Sequence, residues 1–283
     1  MKQYKAIFFD WDGTAVLSRR APVEEAIAAM TPLLEKGIKL AIISGTTYEN
    51  IAGGKIHRYF TPKQLQNLYL GLGRGAYDYG FDAAGEPVVL ANRVPDAQGI
   101  LKIHDACYQI HRILLERYGM NTDIVFSRPN YCKIDLMPNQ DRGENLFLQE
   151  GEAAMLQRIL NDHGIGSIET LIEMAERLGT QGMPLSASSD AKYLEVGPTG
   201  KCDNANALFA RFGLPIEDCC FWGDEFIGVT DKIFGSDAGM ITENTKDGDF
   251  FDVSNLEGIR PSQVKTLGGG IQTFLQFLTD AAK

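Results

Sequence analysis

Short apolar runs at residues 6–9, 40–43, 219–222 and 238–241 are each bounded by polar or glycine residues, the pattern of parallel strands covered on both faces. Between the first two, Ala26, Ile27, Met30, Leu33 and Leu34 recur at helical spacing and Gly37 follows as a stop, which makes a βαβ unit. A second helical stretch over 205–212, closed by Gly213, leads into the run at 219. That alternation predicts an α/β domain with a Rossmann-like parallel sheet. The middle of the chain reads differently. Residues 68–90 alternate strand-like pieces with Gly71, Gly73, Gly75, Gly80 and Gly85, the pattern of short strands and tight turns, and Gly71 to Gly75 reads as turn chemistry. Helical spacing returns at 100–117 and 152–160, with strand candidates at 123–126 and 131–137 between them. These segments predict an α+β insertion over residues 86–190, leaving 1–85 and 191–283 as one discontinuous core domain.

Composition narrows the function classes. Of 283 residues, 44% are hydrophobic and 23% charged, as in an ordinary globular chain. A formal net charge of −10 and the lack of a basic stripe argue against nucleic acid and anionic membranes as partners. There is no apolar run of membrane-spanning length and no leader pattern at the start, so a cytoplasmic protein is expected. Five cysteines without a C-x-x-C pair give neither a zinc site nor a disulfide framework. His104 and His111 lie seven apart on a predicted helix with no third ligand, and read as one exposed face.

Chemistry concentrates at the predicted strand ends. The first run ends in Asp10-Trp11-Asp12-Gly13-Thr14, and extended residues two apart point to the same side, so both carboxylates face one reacting group. One suits a nucleophile and the other a proton shuttle. The second run ends in Ser44-Gly45-Thr46-Thr47, where a hydroxyl and nearby backbone N–H groups suit a phosphate oxygen. The third ends in Gly223-Asp224-Glu225. Carboxylates gathered at about 4 Å repel by roughly 4 kcal/mol per pair at an effective dielectric near 20, so a cation is close to obligatory. Hard oxygen ligands point to Mg²⁺, bound by Asp10, Asp224 and the backbone carbonyl of Asp12.

These pieces, with Lys201, resemble the four ordered motifs of phosphatases of the haloacid dehalogenase (HAD) superfamily. An insertion between the second and third motifs is similar to the C2-type cap of its Cof-like and phosphomannomutase-like branch. The resemblance implies Asp10 as nucleophile, Asp12 as general acid and base, Ser44 and Lys201 as phosphate ligands and Asp224 as a magnesium ligand. In the last motif, Glu225 and Asp231 are candidates for the second acid, with Asp237 behind them. Within the insertion, Arg128 and Arg142 are weakly similar to cap residues that hold a sugar phosphate, and Lys133 lies on the strand between them. The expected activity is Mg²⁺-dependent hydrolysis of a small-molecule phosphate ester, a sugar phosphate by resemblance. A phosphohexomutase and a non-catalytic protein that binds a phosphorylated ligand stay open as alternatives.

Overall fold

The computed structural model describes residues 2–126, 128–142, 148–179 and 183–283. In chain order the regular elements are β1 (Ala6–Phe9), α1 (Glu24–Glu35), β2 (Lys39–Ile43), α2 (Pro62–Leu65), β3 (Leu68–Leu72), β4 (Tyr77–Phe81) and β5 (Pro87–Asn92). They continue with α3 (Ala97–Tyr118), β6 (Asp123–Val125), β7 (Cys132–Asp135), α4 (Glu152–Asp162), α5 (Ile168–Leu178), β8 (Ser186–Ser189) and β9 (Tyr193–Gly197). The chain closes with α6 (Lys201–Phe212), β10 (Cys219–Gly223), β11 (Asp249–Asp252), β12 (Val264–Thr266) and α7 (Gly270–Ala281).

Two sheets organise these elements. The larger runs β12-β11-β10-β1-β2-β3-β4-β5, parallel as far as β3 and antiparallel beyond it. The expected α/β fold around a large parallel sheet is therefore present. In β1 all four side chains are buried. Ile7 and Phe9 enter the apolar cluster that Met30 and Leu33 of α1 share with Phe274 and Leu278 of α7, whereas Ala6 and Phe8 enter the opposite cluster with Ala205 and Leu208 of α6. A period of two on a doubly covered strand leaves no polar position, which is why the run is apolar throughout. Each buried phenylalanine contributes about 1.5–3 kcal/mol. Phe8 also stacks on Phe221, with ring centroids 4.7 Å apart, and Phe221 on Phe250 at 4.6 Å, tying β1 and β10 to β11.

The smaller sheet, β6-β7-β9-β8, is antiparallel and backed by α3, α4 and α5 around Ile103, Ile110, Ile134, Leu171 and Leu194. Helix α3 is capped by Asp96, whose side chain accepts the Gly99 N–H at 2.8 Å, and stopped by left-handed Gly119. Strand membership departs from the 86–190 division at both ends. Strand β5 pairs with β4 in the large sheet, and β9 pairs with β7 and β8 in the small one.

One sequence expectation fails. Residues 238–241 form no strand: they lie in and just after a 3₁₀ turn over Ser236–Met240. Met240 is buried in the cluster under α6 and Gly239 packs against the first turn of that helix, so the run is apolar through helix packing. The strand next to β10 is β11. No helix among the described residues is long and apolar enough to cross a membrane.

Candidate active site

Parallel pairing of β1 with β2 and β10 sets Phe9 opposite Ile42 and Trp222, so the carboxyl ends of all three strands meet. Asp10, Ser44 and Asp224 follow those ends. The Asp10 N–H donates to the Trp222 carbonyl at 3.0 Å, and the Ser44 N–H to that of Gly71 at 2.9 Å. The chain then turns at Gly13, whose φ of +84° and closeness to Asp224 both require glycine: a Cβ there would sit 2.2 Å from Asp224 Oδ2. Thr14 Oγ1 donates to Asp224 Oδ1 at 2.8 Å.

Asp10, Asp224 and Asp237 each bring a carboxylate oxygen within 4.8 Å of the others. Lys201, at the start of α6, places its Nζ 3.2 Å from Asp10 Oδ2 and 2.7 Å from Asp237 Oδ1. Asp237 is wholly buried, and its Oδ2 accepts the N–H groups of Asp224 at 3.0 Å and Glu225 at 2.7 Å. It thus fixes the turn that presents Asp224. Asp12 stands apart from this group: Arg19 lies 3.7 Å from its Oδ2, and its buried Oδ1 has no hydrogen-bond partner among the described residues.

Burial dominates the electrostatics. It raises Asp10 to about 7, against the lowering effect of Lys201 and with Asp237 and Asp12 adding to the rise. Asp224 is pushed well above the usual carboxylate range by burial, then by Asp237 and Asp10. Burial likewise takes Glu225 to about 8, opposed by Lys201. Burial works against the charge of Lys201, but Asp10 and Asp237 hold its ammonium above the ordinary lysine range. A hard divalent cation fits such a donor set, since oxygen ligands that repel one another are stabilised by its charge.

A folded-state pKa raised above its unfolded value contributes stability in full below the unfolded value, and that contribution is lost as pH rises through the folded one. With Asp10 moving from 3.8 to about 7 and Glu225 from 4.5 to about 8, metal-free protein should lose stability between pH 5 and pH 8.5. Melting of EDTA-treated protein across that range checks this. A midpoint that stays level or rises would contradict the burial of these carboxylates.

A cavity of about 670 Å³ opens over the strand ends and is lined by Asp10, Asp12, Ser44, Gly45 and Lys201 from the large-sheet side. Arg128, Lys133 and Arg142 line it from the small-sheet side. Lys133 pairs with Glu195 at 2.7 Å. Arg142 grips Glu152 with Nε and Nη2 at 2.9 and 2.6 Å, and reaches Asp190 with Nη1 at 2.7 Å, so its guanidinium braces the wall. Glu225 lines the cavity and accepts the Ser236 hydroxyl at 2.7 Å. Asp231 is exposed beside the Gly228 to Phe234 bridge, outside both the cavity lining and the carboxylate group. The carboxylate that joins Asp10 and Asp224 within that 4.8 Å group is Asp237. Sequence reasoning also passes over Arg19, Arg74 and Glu195 in the lining. For Glu195 a signal exists, because Tyr193 and Glu195 alternate with the buried Leu194 and Val196, as on a strand with one polar face.

No protein-family model matches the sequence, and no curated protein matches it. Solved structures do match the fold. The N-terminally truncated IMP-nucleotidase of Plasmodium falciparum superposes with a TM-score of 0.60 at 15% identity, over 99% of this chain and 70% of that one. Sucrose-phosphatase from Synechocystis, solved with sucrose and phosphate, superposes with a TM-score of 0.56 at 13% identity, over 99% and 98% of the two chains. Both belong to the HAD superfamily, and at this identity the likeness is one of fold.

Proposed function

From a chain with the fold of HAD phosphatases, we propose a Mg²⁺-dependent phosphomonoesterase that removes phosphate from a small metabolite through a phospho-aspartate at Asp10. The observation that carries this reading is Lys201 held between Asp10 and Asp237 at the floor of a deep cavity, with Asp224 alongside. A buried carboxylate beside a buried ammonium is a structural ion pair anywhere else. At the joined ends of parallel strands, facing a cavity that also holds Asp12 and the 44–46 loop, it is a nucleophile next to an electrophilic clamp.

In this reading Asp10 attacks phosphorus and the bond to the leaving oxygen breaks. Asp12, which burial raises above the ordinary aspartate range against Arg19 and Lys201, gives its proton to the departing alkoxide. Water then attacks the phosphorus of the aspartyl phosphate and passes a proton back to Asp12, which restores Asp10. Lys201, Ser44 and the backbone around Gly45 hold the phosphoryl oxygens, and the buried Thr46 hydroxyl, without a partner among the described residues, adds a donor. Mg²⁺ would be held by Asp10, Asp224 and the Asp12 carbonyl, with Asp237 and Glu225 behind them, and when bound it supplies positive charge against the phosphoryl oxygens. The small sheet with α3, α4 and α5 acts as a cap of C2 type, roughly residues 86–190 with the strand exchanges noted above, and closes the cavity against water.

Release of inorganic phosphate from phenyl phosphate tests the activity. With Mg²⁺ the rate should exceed that in EDTA by at least about 10²-fold, as expected for loss of several kcal/mol of charge stabilisation. Equal rates in the two would remove the metal from the reading, and no release with Mg²⁺ would remove the phosphatase.

A further inference from the structure

The far wall of the cavity is built around one carboxylate. Arg74 follows β3 in the left-handed region, at φ +55° between Gly73 at +65° and Gly75 at +91°. The turn is bolted in place. Asn130 Nδ2 donates to the Gly73 carbonyl at 2.8 Å, Thr199 Oγ1 donates to that of Arg74 at 3.0 Å, and a Cβ on Gly75 would lie 2.5 Å from the Gly200 oxygen. A residue in a costly backbone conformation that its surroundings over-determine is a mark of function. Here the turn sends the Arg74 side chain away from the large sheet and onto the small one. It pairs with Glu195 of β9 at 2.7 Å, donates to the Ser188 hydroxyl of β8, and lies 5.2 Å from the centroid of the Tyr131 ring.

Lys133 of β7, directly opposite Glu195 in the strand register, approaches it from the other side at 2.7 Å, and its Nζ lies 4.9 Å from the Tyr193 ring centroid. Arg74 engages Oε2 and Lys133 engages Oε1. Burial works against the charge of Glu195, but Arg74 and Lys133 bring it down to about 2, so it is ionised throughout the working range. A carboxylate has about four lone-pair sites, and the two cations leave it spare acceptor capacity at the cavity.

The surroundings restrict what can be accepted. Arg142 is matched by Glu152 and Asp190, Lys192 by Asp135, and Arg74 and Lys133 by Glu195. Across the wall these pairs sum to four cations and four carboxylates, and a second phosphate would have to compete with Glu195 for Arg74 and Lys133. The aromatic side chains in the lining, Tyr131 and Tyr193, each already have a cation over the ring, which disfavours the stacking of a nucleobase. A neutral group carrying several hydroxyls meets neither obstacle.

We propose that Glu195, presented by Arg74 and Lys133, is the specificity-determining residue of the cavity and accepts hydrogen bonds from hydroxyls of a neutral, polyhydroxylated leaving group. This rests on the phosphatase reading above. Hydrolysis of glucose 6-phosphate, fructose 6-phosphate, ribose 5-phosphate, fructose 1,6-bisphosphate, IMP and phenyl phosphate by wild type, Glu195→Gln and Lys133→Met tests it. Wild type should prefer one of the sugar monophosphates to the bisphosphate and to IMP. In Glu195→Gln the ratio of kcat/KM for that sugar to kcat/KM for phenyl phosphate should fall by roughly 10- to 100-fold, the size of a lost charged hydrogen bond. Lys133→Met, which keeps the Arg74 pair, should shift the ratio in the same direction by less. A ratio unchanged in both variants would mean that the triad only holds the wall together. Preference for IMP, the bisphosphate or phenyl phosphate would overturn the inference while leaving the phosphatase standing; no hydrolysis of any compound would overturn both.

Discussion

Asp10→Asn should lower kcat by roughly 10⁴- to 10⁶-fold, the scale on which loss of a covalent nucleophile is felt. The asparagine oxygen can still accept the Trp11 N–H that Asp10 Oδ1 accepts at 2.7 Å, and the side chain keeps its volume, so the loss is one of nucleophilicity. Stability should move little. Burial raises the pKa of Asp10 to about 7, so the metal-free fold holds it protonated below that pH and carries its charge at a cost above it, a cost that an uncharged amide avoids. Its attraction to Lys201 is given up in exchange. Single-turnover phosphate release and thermal melting, run side by side, check both halves. Turnover within tenfold of wild type would place the nucleophile elsewhere.

Lys201→Met should have the second largest effect, and on two properties together. In the proposed mechanism its ammonium holds a phosphoryl oxygen, and loss of one such donor costs about 10²- to 10³-fold in kcat. The same change leaves Asp10 and Asp237 facing each other in the interior without their shared cation, and breaking a buried pair in this way costs about 3–5 kcal/mol. The sign of the pH response follows. Without Lys201 the Asp10 carboxylate rises further, so the stability deficit of the variant should be greatest above pH 7 and shrink as acid protonates Asp10. Chemical denaturation at pH 5.5 and pH 8.5 measures this. A deficit of equal size at both would assign Lys201 a packing role only.

Much of this site is legible in the sequence because strand ends announce themselves. An apolar run on a doubly covered strand must stop where the sheet meets solvent, so the first polar residues after β1, β2 and β10 are forced to the same edge. Asp10, Asp12, Ser44 and Asp224 are read from that rule. Asp237 is harder. It lies in a 3₁₀ turn and reaches the site by accepting backbone N–H groups from residues thirteen and twelve positions earlier, a relation with no period. The helices α5 and α7 do carry a readable spacing, with Ile168, Leu171, Ile172 and Ala175 in the first and Phe274, Leu275, Phe277 and Leu278 in the second. The short strands β11 and β12 carry less, because Asp249 and Asp252 bound the one, leaving two apolar residues between them, and the other is three residues long. For Lys133 and Arg142 the residue types are readable from sequence, but the state of each charge is not: the carboxylates that pair with them come from other parts of the chain.

Strand β1 lies between β2, which follows it within 40 residues, and β10, which arrives more than 200 residues later. Half of its hydrogen-bonding edge therefore waits for a partner while the ribosome makes the rest of the chain, at about 5–20 residues per second. During that interval the edge of β1 that will meet β10 is an open template for pairing with other chains. The elements between β2 and β10 have time to form first, and Asp224 comes within reach of Asp10 only when β10 slots in beside β1. The carboxylate group of the candidate site is thus among the last things to be assembled. A nascent or truncated chain ending before residue 219 would carry Asp10 and an unsatisfied strand edge, and would owe its fate to chaperones or aggregation more than to chemistry.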